Sequence, residues 1–343
     1  MTNKLKVGIA GYGVVGRRRR IFIDKNPWLH TVAVSDINLG NGLLSDGIRT
    51  YADPLDMLKD GIEVLFVSLP NYLAPQLTIT GLQRGCHVFC EKPPGRNVQD
   101  LLDVIKVKHD YPELKLKYGF NHRYHDSVTD ALGIASSQRF GRIIHMRGVY
   151  GKSSIVSFDS DWRTKRKLAG GGILLDQGIH MLDMMRMFVG DFKTIYSVVT
   201  NDYWKHDVED NAYALMQTKD GIVATLHSSA TQWRHTFTLE IGFERGLVEL
   251  RGILSGSKSY GDETITVYDR SEGGTSLPES TTRYTEDNSW KDEVDDFSRA
   301  ICFDEDITTG NVSDALSTLR LVYQIYCADS EWKNRFDIDC PEY

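Results

Sequence analysis

Gly8–Arg20 reads GIAGYGVVGRRRR. It continues a short apolar run, LKVGIA, and leads into a helix-like segment from Val14 to about Lys25. Gly11, Gly13 and Gly16 form a GxGxxG pattern between that strand and that helix. Gly11 permits a tight turn, Gly13 lets backbone approach a pyrophosphate, and Gly16 lets helix and strand pack closely. The helix N-terminus, reached through Tyr12, Val14 and Val15, offers unpaired N–H groups to an anion. The pattern alone is a weak signal, and its strand–turn–helix setting gives it weight. The run Arg17–Arg20 allows a phosphate clamp or solvated side chains. Successive helical residues advance about 100°, so the four arginines share no face. Val15 and Phe22 mark the expected buried face, with Arg18 and Arg19 nearest to it and Arg17 and Arg20 towards water. A solvated or domain-edge role leads for the run as a whole.

The alternation continues outward from this turn. HTVAVSD, EVLFVSLP, HVFCEKP and KLKYGF are strand-like, and LAPQLTITGLQRG (closed by Gly85) and NVQDLLDVIKVKHD (opened by Asn97) are helix-like. Apolar strands separated by helices predict a doubly wound parallel sheet of the Rossmann type, running to about Phe120. Beyond it, a helix near Ser127–Ser136 leads into RIIHMRGVYG, and a long apolar helix spans about Ile173 to Val189. TIYSVVT, AYALMQT, IVATLHSS, FTLEIGF, GLVELRG and ETITVYD then follow as strands, with a hairpin signal at Asp220-Gly221. Ser271–Asp287 is polar and is expected to be a surface loop. Helices near Ser289–Ile301 and Val312–Ala328 close the chain. The expected fold is α/β followed by α+β: residues 1–120 an NAD-binding Rossmann domain, and 121–343 a substrate-binding and oligomerisation domain on a large, mostly antiparallel open sheet. The 343 residues suffice for two cores.

Asp36 ends the second strand, 20 residues after Gly16, where an acid binds the adenosine ribose hydroxyls. A carboxylate there repels a 2′-phosphate, so NAD is favoured over NADP; a turn-capping role for Asp36 is the plainer alternative. Ser68, Pro70 and Asn71, in VSLPNYL, fall at the carboxyl edge of the sheet, where such folds bind ligands. CEKPPG places Glu91 and Lys92, both candidate cofactor contacts, at the end of another parallel strand, and a lysine there suits proton transfer when its pKa is lowered. In GGGILLDQGIHMLDMMRMFVG, Asp176, His180 and Asp183 share one stripe of an otherwise apolar helix. Such polar groups need partners or a cavity. An Asp–His pair at this spacing also suits a metal, but no third ligand is evident, so no metal is expected.

The net charge of -7 argues against nucleic acid as the main partner. No apolar run reaches the roughly 20 residues that span a bilayer. The opening MTNKLKVGIAG leaves no room for a signal peptide. Five cysteines, Cys86, Cys90, Cys302, Cys327 and Cys340, contain no CxxC pair. They suggest free thiols in a reducing cytoplasm, with Cys86 and Cys90 in the core.

Taken together, GIAGYGVVG, VSLPNYL, HVFCEKPPG, GFNHRYH, DWR and AGGGILLDQGIHMLD resemble the glucose–fructose oxidoreductase, inositol dehydrogenase and MocA-like oxidoreductases, along essentially the whole chain. The resemblance implies a Rossmann domain, then an α+β domain whose open sheet mediates homodimers or homotetramers. It implies a soluble NAD(P)-dependent dehydrogenase or reductase acting on CH–OH groups of sugars, cyclitols or nucleotide-linked sugars. Lys92, Asp176 and His180 match the family's catalytic set. Trp162 and Arg163 match an element near its active site, and Asn121 and Arg123 match a segment lining its crevice. Asn121 and Arg163 are thereby also candidate cofactor contacts. Tyr124, Trp162, Trp204 and Trp233 offer faces for sugar C–H groups, and Arg123 and Arg163 suit a substrate phosphate or carboxylate. The chain departs from the family at Ala74, at Pro94, and at Arg19, where a histidine is common. The alternative is a non-catalytic NAD-binding regulator on the same fold.

Overall fold

The computed structural model describes residues 4–155, 162–256, 259–270 and 278–341. The chain divides into two compact units, Met1–Phe120 with Trp290–Leu316, and Asn121–Ser289 with Ser317–Tyr343.

The first unit is built on seven strands: β1 (Leu5–Ala10), β2 (Leu29–Ser35), β3 (Gly42–Leu43), β4 (Arg49–Tyr51), β5 (Val64–Val67), β6 (His87–Glu91) and β7 (Leu116–Gly119). Their order is β3-β4-β2-β1-β5-β6-β7, parallel except for the β3–β4 pair. The order reverses direction between β1 and β5, the position at which open α/β sheets bind ligands outside their carboxyl ends. Helices Val14–Lys25, Ala74–Gln83 and Val98–His109 connect the strands as expected, and the Asn97 side chain caps the last of them by accepting from Asp100 N.

A single boundary after residue 120 is too simple, because the segment Trp290–Leu316 returns to the first unit. Within helix Ser289–Cys302, Val294 and Phe297 join the core of Val7, Ile9, Val34, Phe66 and Phe89. Phe66 and Phe89 stack at 4.9 Å, and Phe297 packs edge-on against both, at 5.9 and 5.5 Å. The Lys117 ammonium, buried, donates to Asp296 Oδ2 and to the Thr309 carbonyl. The amphipathic helix was legible, but not which core its apolar stripe would cover.

The second unit carries an eight-stranded sheet: β8 (Ile143–Ser153), β9 (Phe192–Thr200), β10 (Asn211–Thr218), β11 (Val223–Gln232), β12 (Thr236–Phe243), β13 (Gly246–Arg251), β14 (Glu263–Asp269) and β15 (Glu279–Tyr284). Its order is β15-β14-β13-β12-β8-β11-β10-β9, antiparallel throughout except for β8 beside β11. Gly221 turns the β10–β11 hairpin at a φ of 86°. β15 corrects the expectation of a loop over Ser271–Asp287. Residues 271–277 lie outside the described residues, but 279–284 pair with β14, since Ser and Thr side chains suit a solvent-facing edge strand.

One face of this sheet is covered. Helix Ile179–Val189 presses on it closely enough that a Cβ at Gly148 would lie 2.5 Å from Met185 and 2.8 Å from Met181. The expected helix from about Ile173 to Val189 is present, and its first turn, Leu174–Gly178, is π-helical. On the opposite face Tyr196, Val198, Tyr213 and Leu215 are exposed and border a shallow depression of about 430 Å³. The cysteine expectation is also corrected. Cys327 and Cys340 form a disulfide, because the end of helix Val312–Ala328 and the chain beyond helix Ser330–Phe336 bring their Cα atoms to 5.9 Å. Cys86 and Cys90 are buried core thiols, and Cys302 is an exposed one. Among the described residues no helix is long and apolar enough to cross a membrane.

Candidate active site

In the first unit the glycine turn sits at the carboxyl ends of β1 and β5. Gly11 has φ 87°, and a Cβ there would lie 2.2 Å from the Ser68 carbonyl oxygen. A Cβ at Gly16 would lie 2.0 Å from the Gly11 carbonyl oxygen, so strand and helix meet backbone to backbone. Gly13 differs: a Cβ there would meet nothing within 4 Å. The helix it opens has no side-chain cap, leaving its first N–H groups for an anion. The Ser68 hydroxyl is buried without a hydrogen-bond partner. An open cradle, an uncapped helix end and an orphaned hydroxyl fit a dinucleotide pyrophosphate. Tyr12, Val14 and Val15 surround the cradle; Val14 and Val15 are exposed, which corrects the expectation that Val15 marks the buried face. Gly16, Arg19 and Ile23 are the buried positions of that helix.

Asp36 follows β2. Its Oδ1 accepts from both the backbone and side-chain nitrogens of Asn38, at 3.0 Å each, so the plainer turn-capping role is filled and leaves Oδ2 for a ribose. Arg20 points to the same loop: Nη1 donates to the Tyr12 hydroxyl at 2.9 Å, Nε to Asp24 at 3.0 Å, and Nη2 to Asp46. Arg17 is exposed, and Arg18 lies over the Trp290 ring. Pro70 and Asn71 follow β5; the Pro70 carbonyl accepts from Leu73 and Ala74, and Asn71 is buried. Glu91 ends β6, with Lys92 next, half-buried.

In the second unit the polar residues of the 174–189 helix diverge, because the π turn changes their angular spacing and each meets a different partner. Asp176 accepts from the Lys152 ammonium of β8 at 2.9 Å. Its neighbour Gln177 accepts from the Tyr260 hydroxyl at 3.0 Å. His180 is buried, and its ring stacks on His122 with centroids 3.7 Å apart and planes 17° apart. Asp183 is the bidentate partner of Arg123, at 2.6 Å to both Nε and Nη2, and also accepts from Thr318. Arg123 is thus committed to a buried ion pair, which corrects its expected place among the substrate ligands.

Asn121 donates from Nδ2 to Ser289 Oγ, so its Oδ1 accepts from His122 Nδ1. His122 Nε2 is hydrogen-bonded to the Tyr150 hydroxyl at 3.0 Å. Burial holds the Tyr150 hydroxyl well above its ordinary pKa. Burial, then the Lys152 charge, lowers the pKa of His235, whose ring meets Tyr260 edge-on at 4.9 Å. Trp162 and Arg163 form a short turn in which the guanidinium lies over the indole at 4.4 Å, while Asp161 of the same motif lies outside the described residues. Tyr124 is half-buried. Trp204 donates to the Ala230 carbonyl, and Trp233 is exposed.

The sequence reading missed Lys152, Tyr150, Tyr260 and Glu209. Glu209 is fully buried beneath the π turn: it accepts from Gly172 N, Leu174 N and the Tyr326 hydroxyl, at 2.8, 2.9 and 2.6 Å. Burial pushes its carboxyl up, against those hydrogen bonds. A Cβ at Gly172 would lie 2.1 Å from the Glu209 carbonyl oxygen, and one at Gly171 2.2 Å from the Tyr326 hydroxyl, which accounts for the glycine triplet. That triplet was the one signal of Glu209 available in the sequence.

Two family descriptions match this chain: an oxidoreductase family with NAD-binding Rossmann fold over residues 5–113, and a GFO/IDH/MocA C-terminal domain over residues 130–249. The chain belongs to the GFO/IDH/MocA oxidoreductase family. Among relatives of this family, levoglucosan dehydrogenase of Pseudarthrobacter phenanthrenivorans is 28% identical over 187 residues, 53% of this chain and 45% of that protein. The 1,5-anhydro-D-fructose reductase of Ensifer adhaerens is 27% identical over 190 residues, 53% of this chain and 54% of that protein. The chain thus spans about half the length of these two curated relatives. A levoglucosan dehydrogenase structure in complex with NADH superposes with a TM-score of 0.84 at 19% identity, over 96% of this chain and 98% of that one. The fold is therefore shared over nearly the whole chain.

Proposed function

We propose that this chain is an NAD-dependent oxidoreductase acting on a CH–OH or carbonyl carbon of a sugar, cyclitol or nucleotide-linked sugar. The observation that carries the cofactor assignment is the empty space at Gly13, open to ligand where Gly11 and Gly16 are closed by backbone. Gly11, Tyr12, Gly13, Val14, Val15 and Gly16 hold the pyrophosphate, with Ser68, Pro70 and Asn71 beside it. Asp36 binds the ribose hydroxyls, and its charge supports NAD over NADP. The bound nicotinamide supplies a hydride acceptor and donor at C4.

The chain's own residues handle the proton and the substrate. His180, buried and stacked on the His122 ring, accepts the hydroxyl proton. Asp176, paired with the Lys152 ammonium, orients a neighbouring sugar hydroxyl. Lys92 donates to the reacting oxygen and stabilises charge developing there. Trp162, with Arg163 over it, and Tyr124 offer surfaces to the sugar ring, and Asn121 and Arg163 remain candidate cofactor contacts. Named relatives that are sugar dehydrogenases and reductases support this substrate class. The exposed Tyr196, Val198, Tyr213 and Leu215 support self-association through the open sheet face, as a dimer or tetramer. Three free thiols support a cytoplasmic location, against which the disulfide weighs.

The test is incubation with NAD and a panel of sugars, cyclitols and nucleotide sugars, following NADH absorbance. Lys92→Ala and His180→Ala are expected to lower turnover by about a hundredfold or more with NADH binding intact. Near-normal turnover in both variants sinks the catalytic assignment. Tight NADH binding with no turnover on any substrate favours the regulator.

A further inference from the structure

Arg19 has no solvent exposure, and its guanidinium joins two carboxylates. Nε donates to Glu91 Oε1 and Nη2 to Glu293 Oε2, each at 2.6 Å. The Phe89 and Trp290 rings lie 4.4 and 4.3 Å from its Cζ. Gly119 is required beside them: a Cβ there would lie 2.7 Å from Glu91 Oε2 and 3.2 Å from Arg19 Nη2. The cluster draws Arg19 from helix Val14–Lys25, Phe89 and Glu91 from β6, Gly119 from β7, and Trp290 and Glu293 from helix Ser289–Cys302, six residues all within the first unit.

This is a costly way to fill a core. Burial alone would lower the Arg19 pKa, and the two glutamates reverse that; burial pushes the Glu293 carboxyl up to about 7. Arg19 Nη1 and Glu293 Oε1 are buried without hydrogen-bond partners. Apolar residues of similar volume often replace a buried ion triad without loss of stability. What the triad supplies and an apolar plug does not is direction: a hydrogen bond from Arg19 to one oxygen of Glu91, one peptide bond from Lys92. Only 14% of the Glu91 side chain is exposed, and Gly119 confines its other oxygen.

We propose that Arg19 and Glu293 are positioning residues for Lys92: Arg19, itself held by Glu293, clamps Glu91 and so holds the end of β6 that presents the lysine. The assignment rests on the reading above, in which Lys92 meets the reacting oxygen. Glu293 arrives from a segment 202 residues beyond Glu91 in the chain.

The experiment compares the full chain with Arg19→Met, Arg19→Lys and the double variant Arg19→Met/Glu293→Leu. The double variant removes a cation and an anion together, and so keeps a folded protein available where Arg19→Met leaves two acids facing each other. Three readouts are taken: acylation of Lys92 by a limiting amine-reactive reagent, read by mass spectrometry against the exposed Lys59; the NADH dissociation constant; and kcat and KM on whichever substrate the panel yields. The expected result is a Lys92 labelling ratio changed by about threefold or more, kcat lowered by about tenfold, and NADH affinity within about threefold, with Arg19→Lys restoring part of both losses. A kcat loss that only tracks the fraction of protein able to bind NADH shows a merely structural role and overturns the proposal, as does unchanged labelling in a folded double variant. Labelling reads the end of β6 even without turnover. A wild-type chain inactive on every substrate therefore counts against the oxidoreductase reading, while the labelling ratio still decides the clamp.

Discussion

The glycine turn of the first unit and the polar helix of the second are both short motifs, but they are built by different means. At Gly11–Gly16 the working parts are backbone: a positive φ, two close carbonyl contacts and an uncapped helix end. At Leu174–Val189 the working parts are side chains, and each takes its meaning from a partner elsewhere: Lys152 for Asp176, His122 for His180, Arg123 for Asp183. A backbone site is specified by the residues that form it. A side-chain site is specified by the fold, because charge and tautomer depend on what packs alongside.

The comparison breaks most readily at Asp183. If it belongs to the structure rather than the chemistry, Asp183→Asn will cost about 3–5 kcal/mol of stability, the usual result of breaking a buried ion pair. Denaturant unfolding checks this, and a loss below about 1 kcal/mol would return Asp183 to the list of functional acids. Glu293 offers the next largest effect. Its carboxyl moves from 4.5 to about 7 on folding, so between those values the folded chain holds a proton that the unfolded chain has released. Stability from this group is therefore full below pH 4.5 and falls as pH rises towards 7, by about 3 kcal/mol at most. Glu293→Gln cannot titrate and is expected to lose that slope in a melting series across the same range; parallel slopes would contradict the assignment.

Gly13→Ala sharpens the backbone side. The added methyl meets no protein atom, so the melting temperature is expected to stay within about 2 °C while NADH binding weakens by about tenfold. Calorimetric titration checks it, and unchanged affinity would place the pyrophosphate elsewhere. The smallest effect is expected at Arg17, exposed and outside the cluster around Arg19. Arg17→Ala should alter stability by less than about 0.5 kcal/mol and leave turnover untouched.

Much of the architecture was legible. Periodicity located the core strands β1, β2, β5, β6 and β7 and nearly all of the second sheet, and the glycine spacing placed the cofactor turn. The edge strands were harder. β15 is made of polar residues that signal a loop unless a neighbour is known to be there to pair with. The return of Trp290–Leu316 was hidden because an amphipathic helix shows which face is apolar, not which core it covers. At the site, Asp176 and His180 were visible as polar residues in an apolar run, but their partners were not. Lys152 ends an unremarkable strand, and Glu209 stands 37 residues beyond the glycine whose amide it accepts.

The four arginines mark the division. Their sequence determined that they stand on a helix after a dinucleotide turn and cannot act as one face, because helical geometry is local. It also determined the parallel sheet and the backbone cradle, since each follows from residues within a few positions of one another. Only the tertiary structure decided that Arg17 meets water, that Arg18 lies on an indole, that Arg20 ties down the loop after Asp36, and that Arg19 is sealed between two glutamates. Those fates depend on Glu91 and Glu293, brought beside one helix by a shared apolar core.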